Sequence, residues 1–363
     1  MRYPQFLQKG GRIGFIAPSF GCASEPYMSD FDNALSEFSK MGYETVLGPN
    51  CYCDKGIGIS NTPEACAAEV NDFFTNDKSD VIISCGGGEL MCQILPYVDF
   101  DAIKKAAPKW FMGYSDNTNL TFLFNTLCDT ASIYSVCASK FTAPHHQCVD
   151  DAFDILTGKR SSVSNYDRWF KEIWGTGTEE DDGEPDVPKE KPIDVYVNEK
   201  TGDTFDVFAY KQYLYSGTEK NDRVEISGRL IGGCMDCLQV LTGTRFDKIS
   251  EFADRYEDDG IIWFLESCDL SVMSMRRALW QMENAGWFKN VKGFLIGRPL
   301  RFDDTFGDFD HYDAVLGILE KYNVPILMDL DIGHQFPQMP IISGACAKII
   351  AYDNSLSINF NLK

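Results

Sequence analysis

The sequence is poor in histidine, with only His145, His146, His311 and His334, and none of them stands at zinc-ligating spacing from a second pair of ligands. No metal centre is expected. Basic side chains are also in deficit, 33 Lys and Arg against 54 Asp and Glu, which gives a formal charge of -21. A surface of that sign repels phosphate backbones and anionic headgroups, so neither a nucleic-acid polymer nor a membrane is an expected partner. Net charge does not fix the sign inside a pocket, and a small anionic substrate stays compatible with it. No apolar run approaches membrane-spanning length, and Met1 to Gly10 lack the basic stretch and apolar core of a secretion signal, so a cytoplasmic location is expected. Neither the G-x-G-x-x-G nor the G-x-x-x-x-G-K-[ST] phosphate-binding spacing occurs, and there is no internal repeat.

What is present is an ordinary globular composition, 44% hydrophobic and 13% aromatic, over 363 residues, enough to bury a large core in two coupled domains. The thirteen cysteines are odd in number and scattered, which reads as reduced thiols. Cys51 with Cys53, and Cys234 with Cys237, are the close pairs, and both read as structural.

Short apolar runs alternate with helical periodicity through the first half. Arg12 to Pro18 reads as a buried strand, Met28 to Met41 as a helix and Gly42 to Leu47 as the next strand. A helix near Thr62 to Thr75, a strand at Val81 to Ser84, a helix at Glu89 to Leu95 and a strand at Trp110 to Met112 continue the series. Repeated βαβ units imply a parallel sheet that binds ligands at the carboxyl ends of its strands. The expected organisation is an α/β domain over 1–160, an acidic and aromatic loop or linker over 161–223, and a second domain over 224–363. The middle stretch carries the acidic run 179–186 and the aromatics Trp169, Phe170 and Trp174. Trp169 and Trp174 are candidates for a substrate loop, although anchoring of the loop explains the same residues.

Four features fall at predicted strand ends. Gly113-Tyr114-Ser115-Asp116 follows a strand and opens a helix, where a serine hydroxyl is lifted off the sheet and helix N–H groups can face a developing oxyanion. Serine is also a preferred helix cap, and the motif alone decides nothing. Cys85-Gly86-Gly87-Gly88-Glu89 lies at the same sheet edge, and three glycines permit close backbone approach. Glu266 ends the apolar run Gly260 to Leu265, so its carboxylate must be paired. His334 sits in a loop beyond the strand Pro325 to Met328, whereas His145 and His146 lie in a polar stretch. A Ser115–His334–Glu266 triad follows, with backbone N–H groups near Gly87, Gly88 and Asp116 binding the oxyanion or substrate and no cofactor required.

Taken in order, Ile13 to Ser19, Gly86-Gly87-Gly88, Gly113-Tyr114-Ser115-Asp116, Gly228 to Gly233, Phe264-Leu265-Glu266, Gly293 to Arg298 and Gly333-His334 resemble the LD-carboxypeptidase family of serine peptidases, which includes the microcin C self-immunity carboxypeptidases. The resemblance implies an N-terminal parallel-sheet α/β domain and a C-terminal domain with a small β-barrel-like sheet and helices, the site between them, and a cytoplasmic homodimer. It gives Ser115, Glu266 and His334 the roles of nucleophile, acid and base. The 161–220 segment looks more like the microcin-immunity branch, in which an aromatic loop stacks on a nucleobase. The segment Cys234-Met235-Asp236-Cys237 stands where family members often show Asn, and Ser267 where an acidic residue is usual.

The reading that results is a serine carboxypeptidase acting on a C-terminal amide, the LD bond of a muropeptide or a related peptide conjugate. A microcin-immunity-type hydrolase of peptidyl or aminoacyl nucleotides is the enzymatic alternative. A non-catalytic α/β ligand-binding protein is the alternative of another class.

Overall fold

The computed structural model describes residues 1–172 and 191–363. The first sheet runs in the order 341–343, 132–134, 111–113, 81–84, 12–16, 44–47. Its five N-terminal strands are parallel, and Ile341–Ser343, arriving from the far end of the chain, pairs antiparallel with Ser132–Tyr134. Helices link the parallel strands, as the alternation of apolar runs demands. Tyr27–Lys40 turns Phe31, Ala34 and Phe38 into the core at three- and four-residue spacing. Burial of a side chain such as Phe38 contributes about 1.5–3 kcal/mol. Pro63–Thr75 begins at Thr62, whose hydroxyl caps the Ala65 N–H.

The second sheet has nine strands, and at its centre 223–234, 261–266, 291–297 and 325–330 run parallel. Antiparallel strands flank this core, 346–352 and 355–361 on one side and 213–216 on the other. Among the described residues the sheet is open, with Ser162–Ser164 at one edge and Glu219–Lys220 at the other, so the C-terminal part carries a large open sheet and no closed barrel. The completely buried run Ile261–Glu266 lies in the middle of the sheet, which is why its sequence is apolar without alternation.

The described part of 161–223 is more ordered than a linker. Ser162–Ser164 is an edge strand of the large sheet and Tyr213–Ser216 is the strand next to its other edge, while Arg168–Glu172, Thr204–Ala209 and Asp194–Val197 form a small antiparallel sheet. These strands are short and partly or wholly exposed, so they lack the apolar signature of the central ones. The acidic run 179–186 and Trp174 lie outside the described residues. The stretch read as a helix from Glu89 is instead a 3-10 turn at Met91–Tyr97, with Pro96 inside it. No helix among the described residues is long and apolar enough to cross a membrane.

Candidate active site

Strand Phe111–Gly113 ends at the sheet edge, and the chain turns into the helix Thr118–Thr126 through Ser115. Ser115 holds φ at 62°, a left-handed conformation that costs a non-glycine residue on the order of 1–3 kcal/mol. The strained turn thrusts its hydroxyl towards the second sheet. There, Glu266 is the last residue of its strand, and His334 follows the strand Pro325–Leu330.

The three side chains named from the sequence meet. His334 Nε2 lies 2.9 Å from Ser115 Oγ, and His334 Nδ1 lies 2.8 Å from Glu266 Oε2. A carboxylate can only accept, so Nδ1 carries a proton, and in the neutral imidazole Nε2 is left to accept from the serine hydroxyl. Glu266 is fully buried. Burial pushes its carboxyl upward, but the attraction and hydrogen bond of His334, with further bonds from Tyr134 and Cys234, outweigh this and hold it below its ordinary value. Burial pulls His334 down, yet Glu266 and Cys268 together raise it well above the usual imidazole range.

The histidine loop is held from several sides. Arg298 forms an ion pair with Asp331, both almost completely buried, and Asp331 also accepts the Tyr166 N–H at 2.8 Å. The Phe170 N–H donates to the Phe336 carbonyl at 2.7 Å, and Gln335 Nε2 to the Leu300 carbonyl at 2.9 Å. Tyr114 packs on the His334 ring with 5.1 Å between centroids.

The glycine strip Gly86 to Gly88 lies across the nucleophile. A Cβ on Gly87 would stand 3.1 Å from Ser115 Cβ and 3.2 Å from its Oγ, and one on Gly88 would collide with Ser19 Oγ. None of the three has a positive φ, so close approach is what requires glycine here. The Gly87 carbonyl accepts from Phe20, while its N–H meets no backbone acceptor among the described residues. The Asp116 carboxylate faces inward, accepting from Ser19 Oγ at 2.6 Å and the Met91 N–H at 2.8 Å. Burial pushes it up to about 6 against those bonds. Its part at the site is therefore confined to its backbone.

A cavity of about 190 Å³ opens beside Ser115. Its described lining includes the acidic residues Glu89, Asp116, Asp236 and Asp269, and no Lys or Arg. Burial and the charges of Asp269 and Asp236 raise Glu89.

Of the other sequence candidates, Trp169 and the remaining histidines lie away from this cavity, whereas Cys234 and Cys237 line it. Trp169 is 3% exposed, stacked on Phe208 at 4.5 Å with Phe302 and the Arg298 guanidinium also against it, and it is not among the residues lining the cavity. It anchors the small sheet to the loop side of the site. His145 pairs with Asp150, His146 caps a helix, and His311 is buried against Asp329. Cys234 and Cys237 are free thiols, and Cys237 Sγ donates to the Ser115 carbonyl at 3.6 Å.

Sequence reasoning passed over Tyr134. Its hydroxyl donates to Glu266 Oε1 at 2.5 Å and accepts the Ser115 N–H at 3.2 Å. The only signal was the brief apolar stretch around Ile133, too short to show a period.

Comparison with known proteins shows the family and the fold. Residues 13–135 match the model of the LD-carboxypeptidase N-terminal domain and residues 227–349 that of the LD-carboxypeptidase C-terminal domain. The microcin C7 self-immunity protein MccF of Escherichia coli is 24% identical over 356 residues, covering 97% of this chain and 94% of its own length. An MccF-like protein from Bacillus anthracis superposes with a TM-score of 0.74 at 22% identity, over 99% of this chain and 100% of that one. MccF in complex with aspartyl sulfamoyl adenosine gives a TM-score of 0.75 at 20% identity, over 99% of each chain. The two matched domains flank the cleft where Ser115 faces Glu266 and His334, and the chain belongs to the LD-carboxypeptidase family.

Proposed function

We propose that the protein is a serine carboxypeptidase that hydrolyses a C-terminal amide, the LD bond of a muropeptide or a related small peptide conjugate, through Ser115, His334 and Glu266. The observation that carries this reading is the unbroken hydrogen-bonded series from Ser115 Oγ through the His334 ring to the buried Glu266 carboxylate.

In the first step His334 Nε2 takes the Ser115 proton as Oγ attacks the scissile carbonyl carbon. The imidazolium that forms is stabilised by Glu266, which also fixes its tautomer. Negative charge passes to the carbonyl oxygen. The Ser115 N–H is already engaged with Tyr134, so the N–H groups of Asp116 and of the glycine strip are the donors for that oxygen. His334 then protonates the leaving amine, the C–N bond breaks, and an acyl-serine remains. Water, deprotonated by the same imidazole, releases the acid and restores the serine.

Likeness over nearly the whole chain to MccF supports a second reading, hydrolysis of a peptidyl or aminoacyl nucleotide. The carboxylates of the cavity weigh against an acidic aminoacyl group there, since like charges without a cation between them repel. They weigh equally against seating a free terminal carboxylate in that cavity.

Incubation with an LD-linked muropeptide tetrapeptide and, separately, with aspartyl sulfamoyl adenosine, followed by mass spectrometry, distinguishes the two. Release of the terminal D-amino acid by the wild type and not by Ser115→Ala is the expected result. Undiminished turnover by Ser115→Ala would sink the nucleophile assignment. Failure of a fluorophosphonate probe to label Ser115, together with no turnover of either compound, would favour a binding protein.

A further inference from the structure

Tyr134 touches both ends of the candidate triad. It ends the strand Ser132–Tyr134, in register with Gly113 on the neighbouring strand, two residues before the nucleophile. That register places its hydroxyl between the Ser115 N–H, 3.2 Å away, and Glu266 Oε1, 2.5 Å away. Glu266 uses its other oxygen for His334, so the serine, imidazole, carboxylate and phenol form a closed ring of hydrogen bonds. The phenol is completely buried, packed on Phe264 with 5.5 Å between centroids. Burial and the neighbouring Glu266 charge keep it protonated far above its ordinary range, so it remains a donor at every working pH.

We infer that Tyr134 is a positioning residue for the hydrolysis proposed above: it locks the rotamer and basicity of Glu266 while holding the backbone of the strained Ser115 turn. The inference rests on that reading of the site. A donor to Oε1 spreads the carboxylate charge and weakens its hold on the imidazolium proton. Removal of the donor makes Glu266 more basic, so the His334 pKa rises further. The other ionisable groups facing the pair among the described residues are Cys234, Cys237 and Tyr114 towards Glu266, and Cys268, Glu89 and Tyr114 towards His334. Tyr134→Phe leaves all of them in place.

The test uses the full chain with Tyr134→Phe and, as a variant of nearly unchanged size, 3-fluorotyrosine at position 134, a stronger donor. The histidine titration is followed by nitrogen-15 NMR, alongside turnover of the LD-linked tetrapeptide. The expected results for Tyr134→Phe are a kcat about 10- to 100-fold lower, as for loss of a hydrogen bond to a charged group, with KM within about threefold. Its His334 titration moves up, and that of the fluorotyrosine protein moves down. Titration curves that coincide in all three proteins, or shift in the same direction in both variants, overturn the inference, as does a wild-type kcat in Tyr134→Phe. The NMR readout needs no substrate, so the charge argument is tested even without turnover. If Ser115→Ala stays active the triad itself fails. If Ser115→Ala is inactive while the Tyr134 proteins behave as wild type, only the role of Tyr134 is lost.

Discussion

Gly333 lies against the carboxylate of Glu266, so closely that a Cβ there would stand 2.6 Å from Oε2, the oxygen that accepts from His334. Its φ of 104° is also one that side chains rarely adopt. The residue before the candidate base is therefore glycine for two independent reasons. Gly333→Ala is expected to displace His334 from Glu266 and lower kcat by at least about 100-fold, in keeping with the cost of small misplacements at reacting groups. Steady-state kinetics beside a thermal melt would check it, and an alanine variant with full activity would contradict the geometry.

The acid limb of the kcat/KM profile reports the free enzyme's base, which must be neutral to accept the serine proton. Because Glu266 and Cys268 raise His334 despite its burial, the limb should lie above the ordinary imidazole pKa of about 6.5. Glu266→Gln removes the charge, so the limb moves down towards that value while kcat falls by roughly 10³–10⁴-fold. A pH-rate series on both proteins decides this, and an unmoved limb would exclude Glu266 as the partner that raises His334.

The same pair links stability to pH. His334 is raised on folding, so its contribution is complete below about pH 6.5 and fades as pH climbs through the folded value. Glu266 is lowered, so its contribution is present above about pH 4.3 and is lost as pH falls through its folded value. Urea midpoints of wild type and His334→Ala should therefore differ most between these limits and converge towards both extremes.

Gly87→Ala separates chemistry from folding. The backbone of Gly87 is not in the left-handed region, but the new methyl would crowd Ser115 Oγ. The expected result is a kcat lower by about 10–100-fold, the 1.4–2.8 kcal/mol of a displaced nucleophile, with a melting temperature within a few degrees of wild type. Equal loss of both would point to a structural role for the glycine.

Breaking the Arg298–Asp331 pair should act through stability first. Asp331→Ala leaves a guanidinium about 1% exposed without its counter-charge and is expected to cost about 3–5 kcal/mol. Denaturant unfolding measures it. A loss under about 1 kcal/mol would mean that water or the Asp329 carbonyl, which accepts from Arg298 at 2.6 Å, compensates for the missing partner.

The parts of this site that the sequence disclosed are those at the ends of apolar runs, where a charged residue or a glycine-bearing turn breaks the pattern. Ile261–Glu266 announces itself by an unbroken apolar run, and a carboxylate at its end stands out because it is costly to bury unpaired. Ser115 was legible through the Gly-Tyr-Ser-Asp turn that joins the short strand Phe111–Gly113 to a helix, and His334 through its loop beyond Pro325–Leu330, whereas their mutual distances were not. Tyr134 escaped notice because neither a charge nor a glycine-bearing turn marks the end of its strand, and its partners, Gly113 and Ile341, are remote in sequence. Trp169 looked like a loop aromatic because the strand holding it belongs to a small sheet, whose cross-strand stack with Phe208 leaves no local pattern. The inward turn of Asp116 was equally hidden, since its partners Ser19 and Met91 come from two other loops.

The pairing of Ile341–Ser343 with Ser132–Tyr134 bears on how the chain can be cut. A fragment ending near residue 160 would keep all five parallel strands yet present the strand that carries Tyr134 as a bare edge, open to any other strand that can pair with it. The second half, expressed separately, would carry Ile341 and Ile342 with nothing to cover them, although both are fully buried in the intact chain. Division of the gene at the apparent domain boundary should therefore yield two sticky pieces that regain order on mixing, so a split version of this protein would work as a complementation pair and not as two independent modules.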